Sequence, residues 1–349
     1  MQKERQSAFE FLRIIAQIMI VYYHILLIGI YPTSGIPFYK ALWLPLHIGV
    51  PLFVMISGYF EIKPSVRGFV KLIGMVFVLS LPVMVMDYLE VGGAKSIIKG
   101  LFCISRTHFW FIRTYVILYL LSPLVNAFLK NANLKSRISL FLALFFISDY
   151  MGTVGNDPAL YEGYNIVTFM LFYVVGNSIH KYKDLLSRYS FKNLMIIWLI
   201  SNTVFVGLFS VLGFSNRMIN STYIWILFEY TSPGLLISSS LFFIAISQLH
   251  FRSHLINRIA KASLAIYIIH GAFMIGYIGP ISANLYNSNN NPFYIIGATF
   301  LLALAIVVAC VLIYWLMTPV WKIIDTIGQG LQKYYDSRLV CVIKKENKY

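Results

Sequence analysis

Apolar residues run along this chain in blocks of about twenty, and each block is closed by a short polar or turn-forming break. A bilayer core about 30 Å thick takes roughly 20 apolar residues per helix, so the blocks predict membrane-spanning helices rather than a soluble bundle. Apolar runs set against polar breaks give spans at 9–30, 44–61, 70–90, 108–129, 138–151, 163–180, 193–213, 223–248, 263–281 and 293–318, the fifth being the shortest. The predicted fold is all-α: a polytopic membrane protein, a bundle of about ten transmembrane helices. Turn chemistry falls in the breaks, at Tyr31-Pro32-Thr33-Ser34-Gly35, at Gly155-Asn156-Asp157-Pro158 and in the run from Asn287 to Pro292. Residues 1–318 read as the membrane domain and 319–349 as a tail. In that tail Trp321, Ile323, Ile324, Ile327, Leu331, Tyr334 and Tyr335 recur at helical spacing among Lys322, Lys333 and Arg338, the pattern of an interfacial amphipathic helix.

Composition agrees with the pattern. Hydrophobic residues make up 59% of the chain and charged ones only 12%, with a mean hydropathy of +0.74, whereas soluble domains carry roughly 25% charged residues. The first apolar stretch is long and no small-residue cleavage site follows it, so it reads as a retained span and not as a secretion signal. Cys103, Cys310 and Cys341 are far apart with no paired or metal-like spacing, so neither a disulfide framework nor a metal site is expected. The net charge of +15 does not gather into one basic stripe, which argues against nucleic acid. It follows topology instead. With the N-terminus in the cytoplasm, 22 of the 28 Lys and Arg residues lie in cytoplasmic segments, and six (Lys40, Lys95, Lys99, Arg106, Arg113 and Arg217) lie outside. The positive-inside rule therefore predicts that both termini are cytoplasmic.

Chemistry enters with the polar residues of the first span. Arg13 and His24 are eleven residues apart, which at about 100° per residue is three turns plus roughly 20°; they share one face about 16 Å apart along the axis, with Glu10 and Gln17 on the same stripe. A charge near mid-bilayer costs about 2.5–3.5 kcal/mol on insertion scales, so such a stripe faces a protein interior or a water-filled cavity. Arg13 alone could be a topology anchor paired with Glu10 that snorkels to the inner headgroups. His24 has no such explanation, and an imidazole exchanges a proton near neutral pH, which makes it a candidate general base.

The Arg13-x10-His24 spacing, with an acidic residue three before the arginine, resembles the opening of the acyltransferase-3 family of integral membrane acyltransferases. Gly49-Val-Pro-Leu-Phe53-Val-Met-Ile-Ser57-Gly58-Tyr59-Phe60, His108-Phe-Trp110-Phe-Ile-Arg-Thr-Tyr115 with Tyr119-Leu-Leu-Ser-Pro123, and Ser263-Leu-Ala-Ile-Tyr267-Ile-Ile-His270 are similar to further signatures of that family, in the same order. The resemblance implies transfer of an acyl group, most often acetyl, from cytoplasmic acyl-CoA to a hydroxyl of a cell-surface polysaccharide or its undecaprenyl-linked precursor, in a bacterial cytoplasmic membrane. It implies no permanently bound cofactor, acyl-CoA being a substrate. By position it makes His24 the catalytic histidine, has Arg13 hold the donor, and puts Trp110 in an element lining the site.

Many members of the family carry two arginines three apart after the second span. This chain instead reads Arg67-Gly-Phe-Val-Lys71-Leu-Ile-Gly74, so donor binding by Lys63, Arg67 and Lys71 competes with their being an ordinary positive-inside loop. Ser57, Arg113 and His270 join Glu10, Gln17 and Trp110 as site-lining or acceptor-side candidates. His270 reads equally as a structural histidine, and Arg113 equally as an interfacial residue. Asp87, Asp149 and Glu229 also fall near or inside apolar runs. The competing function is a transporter or flippase of a polar lipid or lipid-linked glycan using the same stripe as a path. The absence of an internal repeat and of paired broken helices disfavours it.

Overall fold

The computed structural model describes residues 6–91, 109–155, 157–214, 229–289 and 291–346, and all the regular structure in them is helical. Lys95, Lys99, Cys103, Arg106, His108, Asn156 and Arg217 lie outside the described residues, as do the side chains of Asp87 and Cys341. The principal helices are α1 (Ser7–Ile25), α2 (Gly49–Phe60), α3 (Val66–Val91), α4 (Trp110–Asn131), α5 (Leu134–Phe145), α6 (Ile166–Lys181), α7 (Phe191–Phe214), α8 (Pro233–Ser247), α9 (Ser263–Phe273), α10 (Pro292–Leu316) and α11 (Thr318–Glu346).

Each predicted span coincides at least in part with one of α1 to α10. By length and apolarity alone, five described helical runs suffice to cross a membrane: Ser7–Ser34, Pro37–Phe60, Trp110–Asn131, Phe191–Val211 and Pro292–Leu316. A sixth is added if His254–Phe273 and Gly276–Ser288, bent by 62°, count as one broken span. α6 has 16 residues and is about 24 Å long, short of the hydrocarbon thickness. The second predicted span begins earlier than expected, because Pro37 sits at the first position of a helix, where its missing N–H costs nothing, and short helices carry the chain on into α2.

Local chemistry sets the helix starts. The Asn165 side chain accepts from the N–H groups of Val167 and Thr168, Ser232 caps α8 ahead of Pro233, and Asn291 caps α10 ahead of Pro292. α2 and α6 cross so closely that a Cβ at Gly58 would stand 2.0 Å from the Tyr173 carbonyl oxygen, and one at Gly176 2.1 Å from that of Met55. Small residues at such a crossing let the two backbones touch, which is the usual way membrane helices associate without a hydrophobic driving force.

α1 is the hub and packs against α2, α8, α9 and α10. Its polar stripe therefore faces protein. α4, α7 and α10 turn large apolar side chains outward, among them Leu124, Val211 and Leu301, as a lipid-facing surface requires. In the tail, α11 lies along α3, with Trp321 and Ile324 buried and Ile323, Ile327 and Leu331 exposed. Arg67 clasps Asp325 across this contact, with Nε and Nη2 donating at 3.0 and 2.7 Å. That hydrogen-bonded guanidinium holds the Asp325 carboxyl below its ordinary pKa.

Candidate active site

α1 and α9 lie side by side and in register. Gln17 Nε2 donates to the Ser263 carbonyl at 2.9 Å, and seven residues on, His24 Nδ1 lies 3.0 Å from His270 Nε2. Both pairs are 246 residues apart, as is the Ser253 N–H donating to Ser7 Oγ at 2.9 Å just before α9. Seven residues is about two turns, so two contacts on one seam fix both the translation and the rotation of α1 against α9. The helices run parallel. His270 is buried and its Nδ1 is 2.6 Å from the Ile266 carbonyl oxygen one turn back. Both histidines precede a widened π turn, Leu26–Ile30 after His24 and Met274–Ile278 after His270, and these two turns touch; π turns inside α-helices recur at functional sites.

Two cavities meet at this seam. The larger, about 1200 Å³, opens beside Arg13 and Gln17 and reaches Ser57 on α2, Lys71 on α3 and Tyr115 on α4. Arg258, Lys261 and Lys322 bring its cationic side chains to five, against a single carboxylate, Asp325. Arg258 is held over the Trp315 ring at 4.7 Å. The smaller cavity, about 120 Å³, contains His24 and His270 and is walled by Tyr23, His47, Trp110, Tyr164 and Tyr230. Trp110 and Tyr164 rings lie 4.3 Å apart, and His47 stacks on Tyr23 at 4.7 Å. Ile20, Val50 and Tyr267 line both cavities and form the partition between them. A wide basic chamber thus ends, through a thin apolar and aromatic wall, at a narrow pocket holding two hydrogen-bonded imidazoles.

Residues 6–319 match the model of the acyltransferase-3 family, described as an acyltransferase domain. The chain belongs to that family. No curated protein and no solved structure matches it. The chain is accordingly a multi-pass membrane acyltransferase, and its site residues can be placed one by one.

In the acyltransferase, Arg13 and Gln17 face the large cavity, with Arg13 Nη1 3.4 Å from the Glu10 carboxylate. Glu10 is buried behind Arg13 and lines neither cavity. Ser57 lines the large cavity, and its Oγ is 3.3 Å from the Tyr115 hydroxyl. Trp110, His24 and His270 line the small one. Of the basic residues singled out after the second span, only Lys71 reaches a cavity; Lys63 is exposed, and Arg67 is exposed and engaged with Asp325. Arg113 is exposed and lines neither cavity. Arg258, Lys261 and Lys322 join Arg13 at one cavity from distant segments, a proximity that leaves no local sequence signal. Tyr23, Tyr164 and Tyr230 of the small pocket carry no sequence signal within an aromatic-rich chain, whereas Tyr267 belongs to the motif that ends at His270.

Proposed function

We propose that the acyltransferase transfers an acyl group, most often acetyl, from cytoplasmic acyl-CoA to a hydroxyl of a cell-surface polysaccharide or its undecaprenyl-linked precursor, across a bacterial cytoplasmic membrane. The observation that carries this reading is the junction of the two cavities: a basic chamber large enough for a nucleotide-sized anion abuts a small pocket with His24 at its seam. Lys71, Arg258, Lys261, Lys322 and Asp325 of its wall come from the segments 61–71, 250–261 and 322–349, which the positive-inside rule assigns to the cytoplasm, where acyl-CoA is made. CoA phosphates sit among Arg13, Lys71, Arg258, Lys261 and Lys322, and the pantetheine arm carries the thioester past Tyr267 to His24. The acceptor approaches from the Trp110 and Tyr164 side, where aromatic faces suit a sugar ring.

His24 takes the proton of the acceptor hydroxyl as the oxygen attacks the thioester carbonyl. A C–O bond forms, a tetrahedral oxyanion gathers charge near the indole and phenol donors of the small pocket, and the C–S bond then breaks. His24 returns its proton to the leaving CoA thiolate, so the products are the ester and free CoA.

The test is acyl-CoA consumption by purified protein in lipid, with acetyl-, propionyl- and succinyl-CoA, for the native chain and His24→Gln. Glutamine keeps a hydrogen-bonding group but takes no proton at neutral pH. A positioned base contributes about 10²–10⁴-fold, so the variant is expected to lose at least that much rate while binding donor normally. A native protein that neither binds nor consumes acyl-CoA yet moves a lipid-linked glycan is a transporter. A glutamine variant that keeps more than about a tenth of the rate removes His24 as base.

A further inference from the structure

The base reading leaves open what gives His24 the correct nitrogen. A neutral imidazole carries one proton, and in water it prefers Nε2. A base that has Nδ1 turned toward a neighbour must hold its proton there, or its lone pair at Nε2 is lost. The hydrogen bonds along α9 settle which way the protons run. The Ile266 carbonyl oxygen can only accept, so the nitrogen 2.6 Å from it, His270 Nδ1, carries a proton. Neutral His270 then has its lone pair on Nε2. That lone pair faces His24 Nδ1 at 3.0 Å, and a hydrogen bond there requires the proton on His24 Nδ1.

We propose that His270 is a positioning residue: anchored by the Ile266 carbonyl, it locks His24 in the Nδ1–H tautomer and leaves His24 Nε2 unprotonated as the base. This deepens the reading above and rests on it for the word base, but the relay itself is a property of the resting protein. The chain of polar atoms is Ile266 O, His270 Nδ1–H, His270 Nε2, His24 Nδ1–H and His24 Nε2, with every donor matched to one acceptor and the last lone pair left for substrate. When His24 Nε2 takes the hydroxyl proton, both its nitrogens carry hydrogen, and the Nδ1–H still donates to His270. The positive charge is thereby shared with a second imidazole whose far N–H is already held by a carbonyl dipole. An acidic orienting group would do the same at the cost of a buried carboxylate; an imidazole anchored to its own helix backbone does it without net charge in the resting state.

Three features show that the pair is built and not incidental. The seam contact of Gln17 with Ser263 two turns below sets the rotation of both helices, so the ring-to-ring contact is fixed independently of the histidines. His270 is 1% exposed, and its Nε2 is turned to His24 Nδ1 at 3.0 Å. The two π turns that follow the histidines pack together and close the seam above them.

The experiment uses the full-length acyltransferase labelled with ¹⁵N-histidine in lipid nanodiscs near neutral pH, with the His24 signals assigned from the spectrum of His24→Gln. His24 is expected with a protonated Nδ1 and an unprotonated Nε2. His270→Phe keeps a ring of similar size but has no acceptor, so His24 is expected to move to the Nε2–H form and kcat to fall by about 10–100-fold or more, with KM for acetyl-CoA unchanged. His270→Gln restores an acceptor oxygen and is expected to recover both the Nδ1–H signal and a substantial part of kcat. A His24 that rests as Nε2–H in the native protein overturns the inference. So does a His270→Phe variant that leaves tautomer and kcat unchanged. Should the native protein show the Nδ1–H form while failing to consume acyl-CoA, the relay stands and the acyl-transfer assignment falls.

Discussion

Charge in the large cavity gives a prediction with opposite signs in one set of variants. Five cations and one carboxylate line the chamber: Arg13, Lys71, Arg258, Lys261 and Lys322 against Asp325. A cation about 5 Å from a phosphate oxygen is worth about 0.8 kcal/mol at the dielectric of water and about 3 kcal/mol at an effective value of 20. The chamber is wide and open, so the lower end applies: about 1 kcal/mol, or roughly 5-fold in Kd, for each cation removed. Lys261→Gln and Lys322→Gln are each expected to weaken acetyl-CoA binding by about that factor, and Arg258→Gln by more, because its guanidinium is already ordered over Trp315. Asp325→Asn removes a like charge and frees Arg67, so it is expected to tighten binding by about 2–5-fold. The assay is isothermal titration of acetyl-CoA, and of CoA without its acyl group, into nanodisc-embedded protein at two salt concentrations. Raising salt should shrink all four effects, since the Debye length falls from about 10 Å at 0.1 M to 3 Å at 1 M. Equal losses in all four variants, Asp325→Asn included, would mean the residues support the fold of the cavity wall, and the electrostatic account of donor binding would be refuted.

Arg13→Ala is expected to raise KM for acyl-CoA with little change in kcat; an unchanged apparent affinity in well-inserted protein reduces Arg13 to a topology anchor. Gly58→Ala places a Cβ against the Tyr173 carbonyl, a backbone group that cannot move aside, and is expected to cost at least the about 1–3 kcal/mol of ordinary overpacking, seen as a lower unfolding temperature in detergent. Cysteine labelling is expected to find Lys181 to Lys192 on the cytoplasmic side, and labelling from outside would overturn the orientation.

The all-helical membrane architecture was legible because a bilayer imposes one rule, length of apolar run, and five described helical runs, or six with the bent pair, obey it. The common face of Arg13 and His24 was legible for a similarly local reason: both lie on one helix, where 100° per residue decides orientation. The partner of His24 was not. His270 is 246 residues away, and nothing in either helix states that they meet; only the packed structure does. The cations of the large cavity were hidden for a different reason. A lysine that sets topology and a lysine that lines a cavity look alike in sequence, so the spacing offers Lys63 and Arg67 for donor binding or for an ordinary loop and does not single out Lys261 or Lys322. The structure separates them by what they face: the cavity for Lys261 and Lys322, solvent and Asp325 for Lys63 and Arg67. Arg113 sits one turn from Trp110 in sequence yet points away from both cavities, which a motif read as a string could not show.

The seam between α1 and α9 makes two sequence intervals into one quantity. Gln17 to His24 and Ser263 to His270 are each seven residues, and the upper contact is in register with the lower one only because the two intervals are equal. One residue inserted after Gln17 would swing His24 through about 100° and carry it off His270, while leaving the lower contact intact. The same insertion made at once between Ser263 and His270 would turn that ring through the same angle in the same sense, so on parallel helices the two imidazoles would point to opposite sides of the seam. A sequence of this build can therefore change neither interval by a single residue without parting the two imidazoles, so the spacing from Arg13 to His24 is set in part by the neighbouring helix.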